Sequence, residues 1–145
     1  MEEKIQLLWG KDVEAYPILL ELENISDHTS QLYPYREQFI KMVLSSHTYV
    51  RIRGLRLLAH NVKWDKEDWI LEHMPSILAL LQAEKPVVVR ECLKALAVIV
   101  AQKPSLGDKI KQALDSMDIS QYQDSMAPLI KKDKEAVLQI MTKQT

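Results

Sequence analysis

The chain has 145 residues, 47% hydrophobic and 27% charged, with a formal net charge of −1; this predicts one compact globular domain over residues 1–145. The near-neutral balance argues against a dedicated nucleic-acid binder, which shows a basic excess, and three glycines argue against nucleotide folds built on glycine loops. A single cysteine, Cys92, excludes an internal disulfide and a multi-cysteine metal site.

The first residues, MEEKIQLLWG, do not read as a secretory signal. No apolar run approaches the ~20 residues that span a bilayer. The expected compartment is therefore the cytoplasm, with no membrane association. Leu, Ala, Glu, Lys, Gln and Met dominate, and all are good helix formers.

Apolar periodicity and breakers predict helices near 2–9, 12–26, 32–45, 48–62, 66–82, 86–102, 105–117, 122–131 and 133–142. Pro17 lies inside the second and predicts a late start or a kink there. From 39 onward the chain repeats itself. Shifted by 38 residues, Phe39, Ile40 and Val43 fall on Ile77, Leu78 and Leu81. Val50, Leu55, Leu58, Ala59 and Val62 fall on Val88, Leu93, Leu96, Ala97 and Val100, and small Gly54 falls on small Cys92. In the second copy Val89, Leu93, Leu96 and Val100 recur at helical spacing on one face. Paired helices with a period near 40 are the signature of HEAT or armadillo repeats. The expected fold is all-α: a HEAT-like solenoid of three helix pairs plus cap helices, each pair burying its apolar face against the next.

The corner between helices 48–62 and 66–82 carries "VKWDKEDW", with two of the three tryptophans. Asp65 fits an N-cap whose carboxylate accepts from the backbone N–H of Asp68. Trp64, just before the cap, and Trp69, fourth in the helix, fit a hydrophobic staple. This structural reading is preferred to a ligand pocket.

The blocks "YPYREQFIKMVLSSHTYVRIRGLRLLAHNVKWDKE", "EKPVVVRECLKAL", "KPSLGDKI" and "QYQDSMAPLIKKD" resemble, in order and spacing, a group of small bacterial HEAT-repeat proteins. The resemblance runs from about Tyr33 to Asp133. It implies an all-helical HEAT-like fold and no particular activity. In "KKDKEAV" the chain departs from that pattern, which tends to have an aliphatic residue after the Asp. A looser likeness is to HEAT-like bacterial glycosylases that remove alkylated bases with Trp and Asp in a basic groove; "KWDKEDW" supplies those residue types.

No catalytic motif accompanies the repeat. The histidines, His28, His47, His60 and His73, do not form a helical ligand set, so no metal or cofactor is implied. Cys92, among Val89, Leu93 and Leu96, reads as a small buried hydrophobe rather than a nucleophile. The charge pattern says more. Residues 1–46 carry net −4, residues 47–66 net +4, residues 67–84 net −4 and residues 85–112 net +4. The equivalent helices 48–62 and 86–102 are thus both basic, and in a solenoid they would form one row bearing Arg53, Arg56, His60, Arg90 and Lys94. Arg53 would also oppose Glu91 across the repeat. The expected function is a non-enzymatic interaction or scaffold module that binds a protein or peptide along that row. Nucleic acid on the same strip is the alternative, and base-excision chemistry a more remote one.

Overall fold

The computed structural model describes residues 1–144. Among them every regular element is helical and no strand forms. The backbone gathers into two compact units, Met1–Glu67 and Asp68–Thr145.

The first unit holds α1 (Glu2–Leu7), α2 (Asp12–His28), α3 (Arg36–Val43) and α4 (Thr48–Asn61). Its packing centres on α4, which meets α2 and α3, while α1 packs on α2. Centrality follows from sequence: α4 buries Val50, Ile52, Leu55, Leu57, Leu58 and Ala59, more than one stripe of its surface. Pro17 neither delays nor ends α2. Pro17 and Val13, whose carbonyl it cannot serve, both lie on the exposed face, so the missing donor is not a loss inside the core.

The second unit holds α5 (Trp69–Leu78), α6 (Pro86–Gln102), α7 (Gly107–Asp115) and α8 (Ala127–Lys143). Here α6 is central, packing on α8, on α7 and on the 3-10 turn Ala79–Gln82 that continues α5. Val89, Leu93, Leu96 and Val100 are all fully buried. The expected pair of helices at 122–131 and 133–142 is instead the single helix α8. Nothing after Pro128, in the first turn, can break a helix, and Ile130 and Val137 keep one buried face seven residues apart. Asp133, at the expected break, is held mid-helix by Arg90.

Positions 38 residues apart make a similar contact inside each unit. In the first, Gly54 lies against α3 so closely that an added Cβ would sit 2.6 Å from the Phe39 carbonyl oxygen. In the second, the thiol of Cys92, fully buried, lies 3.4 Å from the Ile77 carbonyl oxygen. Gly54 corresponds to Cys92 and Phe39 to Ile77 under the 38-residue shift.

The corner at 62–69 differs from expectation. The helix does not begin at residue 66 under an Asp65 cap. Val62–Trp64 forms a 3-10 turn, Asp65 is extended, and α5 starts at Trp69 after Asp68 in the left-handed region at φ 58°. Asp tolerates that conformation better than most residues. The reason is a tertiary bond: Asp65, 5% exposed, accepts the Tyr33 hydroxyl at 2.8 Å and turns back to the N–H of its near neighbour Glu67 at 3.3 Å. The staple goes with the cap, because Trp69 is the first helical residue rather than the fourth. Asp68 makes no side-chain cap, and instead pairs with Lys103 at 3.7 Å.

Candidate functional site

The five candidate partner-binding residues have different fates. Arg53 is only 4% exposed. Its guanidinium donates to the carbonyls of Leu8 and Gly10 at 2.8 and 2.9 Å and to Asp12 at 3.2 Å. It therefore ties the α1–α2 turn to α4 and presents no charge outward, a correction to its place in a binding row. Its carboxylate partner within the first unit is Asp12.

Arg56 and His60, one turn apart on α4, face the acids of α2. Arg56 makes a bidentate pair with Glu23 at 2.8 and 2.9 Å, the strong, planar form of the interaction. His60 reaches Asp27 through Nδ1 at 2.6 Å and Glu23 through Nε2 at 3.2 Å. Lys63 adds a third cation, 3.1 Å from Asp27. Carboxylates only accept, so protonated His60, with both ring nitrogens as donors, is the form that satisfies both contacts. The bond to Glu23 accordingly holds its pKa above the usual histidine value, against the opposing effect of burial. Burial pushes the Glu23 carboxyl up, but hydrogen bonds and charge from His60 and Arg56 outweigh it and leave it below the ordinary range. Asp27 is lowered in the same way by His60 and Lys63.

In the second unit Arg90 donates to Asp133 at 2.7 Å. Lys94 is exposed, with Glu91 at 3.6 Å on its own helix. The cations of the expected row are thus largely matched by carboxylates of the same unit.

The residues at the corner are committed internally as well. Trp64 is half-buried and donates its indole N–H to the Ser26 carbonyl at 2.8 Å. Burial, with the hydrogen bond and charge of Asp65, pushes Tyr33 up to about 12, so its hydroxyl stays protonated as the donor. Trp69 packs its ring on His73, with centroids 4.0 Å apart. Cys92 is fully buried and burial raises its thiol, which suits packing and not nucleophilic attack. Among the described residues no group of three or more His, Cys, Asp or Glu is placed to hold a metal ion, and no helix is long and apolar enough to cross a membrane.

What sequence reading missed is the outer face of α2. Ala15, Leu19 and Leu22 face the core, as expected. Val13, Tyr16 and Leu20, spaced three and four apart on the other face, are 79%, 44% and 44% exposed, with Pro17 beside them. A helix with apolar residues on two faces has one face left over; that two-sidedness was visible in "VEAYPILLEL" and was the available signal. The Arg56 guanidinium lies 5.9 Å from the centre of the Tyr16 ring, so the ion-pair ladder borders the stripe. Trp9 and Leu7, at the end of α1, are also over two-fifths exposed. In the second unit an apolar groove of about 620 Å³ is lined by Pro104, Gly107, Lys111, Leu138 and Met141.

Comparison of the chain with protein-family models, with curated proteins and with solved structures finds no match in any of the three.

Proposed function

We propose that this chain is a non-enzymatic interaction module of the HEAT-like helical-repeat kind, acting in the cytoplasm and binding a protein or peptide partner. The observation that carries the reading is the exposed stripe Val13–Tyr16–Leu20 on α2. Single exposed apolar residues are ordinary, but a run at helical spacing is a contact surface in waiting. The twice-made hairpin contact, Gly54 on Phe39 and Cys92 on Ile77, supports the repeat reading. Stacked helix pairs commonly serve as rigid binding surfaces. The binding surface moves from the basic row to α2, because Arg53 is buried and Arg56, His60 and Arg90 hold carboxylates of their own units.

The test is retention of a protein from a native lysate by the tagged full chain, compared with Leu20→Lys and with Lys94→Glu. The α2 reading expects Leu20→Lys to lose the retained protein and Lys94→Glu to keep it. The opposite pattern returns the site to the basic row. Displacement of the retained protein by duplex DNA of unrelated sequence would favour the nucleic-acid reading instead.

A further inference from the structure

The outer face of α2 has a chemistry that selects among occupants. Its 17 residues include five acids, Asp12, Glu14, Glu21, Glu23 and Asp27, and no Lys or Arg. Glu23 is buried in its pair with Arg56. The other four line the stripe. Glu14 and Glu21, seven residues apart, run along one edge, and Asp12 and Asp27 lie toward the other. Asp12 is paired with Arg53 and Asp27 with His60 and Lys63; Glu14 is well exposed, and Glu21 pairs with Lys4, a surface pair that exchanges partners at little cost. The apolar centre is Val13, Tyr16, Pro17 and Leu20, about 10 Å along the axis at 1.5 Å per residue.

Resting on the interaction-module reading above, we propose that this face receives a cationic amphipathic helix of a partner protein. Leucine-type side chains of that helix would lie on Val13, Tyr16 and Leu20. Its Lys or Arg side chains would reach Glu14 and Glu21 along one edge, since Asp12 and Asp27 on the other already hold Arg53, His60 and Lys63. Helix-on-helix recognition of this kind is read from anchors at i, i+3 and i+7. The Glu14–Glu21 edge argues against the competing occupants. An anionic lipid surface or a nucleic acid meets like charge. A second copy of the chain, α2 against α2, sets the same acids against each other. The short stripe fits an exchangeable contact rather than a permanent one.

The experiment uses the full chain and a labelled synthetic helix of roughly 18 residues, five turns, built from Leu on one face and Lys on the other. A counterpart carries Glu in place of Lys. Anisotropy titration should show saturable binding of the Leu/Lys helix, at least ~10-fold tighter than the Leu/Glu helix and weaker at high salt. Leu20→Lys should weaken it at least ~10-fold, the effect of losing a central anchor. Val98→Lys, at an exposed apolar position of α6 outside the stripe, should not. Circular dichroism of each variant should match the parent, since both sites are exposed.

Equal affinity for the two helices, or undiminished binding by Leu20→Lys, overturns the proposal. So does a dimer in sedimentation that Leu20→Lys dissolves, or binding to phosphatidylserine vesicles that Leu20→Lys abolishes. If neither helix binds while a lysate protein is still lost in Leu20→Lys, the cationic partner is refuted and the interaction module stands. If Leu20→Lys changes neither measurement, both fall.

Discussion

Gly54→Ala should destabilise the first unit, although the same change in most helices does the reverse. In a helix interior alanine gains about 0.5–1 kcal/mol over glycine by restricting the unfolded chain. At Gly54 the new methyl would lie 2.6 Å from both the Phe39 carbonyl oxygen and the Met42 Cβ, and 3.2 Å from the Val43 amide nitrogen. Relaxed carbon contacts need about 3.5–4.0 Å. All three neighbours are backbone or backbone-anchored atoms of α3, so no rotamer change clears the space. The α3–α4 pair must open by close to 1 Å, an overpacking cost of about 1–3 kcal/mol, larger if the buried Phe39 and Met42 lose their seats. The net expectation after the helix gain is a loss of about 1–2 kcal/mol. Urea melts followed by tryptophan fluorescence read this, since Trp9 and Trp64 belong to the first unit. A useful companion is Cys92→Ala at the equivalent position. There the side chain already fits, so truncation should cost only about 1 kcal/mol, near the loss of one buried methyl. A Gly54→Ala chain as stable as the parent, or more so, would refute the close-approach argument.

Stability should also depend on pH through the α2–α4 ladder. The raised His60 pKa means its contribution is full below the unfolded value of 6.5 and fades as pH rises through the higher folded value. The lowered Glu23 and Asp27 values mean theirs is present above the unfolded values of 4.5 and 3.8 and fades as pH falls through the folded ones. Thermal melts should therefore favour the window between about 4.5 and 6.5, and His60→Gln should flatten the alkaline limb; an unchanged limb would remove His60 from the ladder. Asp65→Ala should cost about 1.5–3 kcal/mol by urea titration, because a charge-assisted bond from Tyr33 is lost. Tyr33→Phe should cost little on top of it, and fully additive losses would show that the two do not act as a pair. Arg53→Met should cost about 3 kcal/mol or more, since it strips the donors from the Leu8 and Gly10 carbonyls; a neutral result would mean water serves them as well.

The helices were legible in the sequence because their cause is local. Val89, Leu93, Leu96 and Val100 share a face by spacing alone, and all four are buried. The 38-residue shift also pairs Gly54 with Cys92, the two small residues that lie against the Phe39 and Ile77 carbonyls. Capping at the corner was not legible. Asp65 satisfies every local rule for an N-cap, yet a hydroxyl 32 residues earlier in the chain takes its carboxylate. Spacing cannot reveal that competition. The same holds for charge: the blocks of sign along the chain were real, but whether a cation faces water or a carboxylate depends on which helices pack together. Helix packing within the first unit spent Arg53 on carbonyls and Arg56 and His60 on Glu23 and Asp27. It also left the second apolar face of α2 uncovered, because a helix packed against α4 on one side can bury only the face it turns toward it.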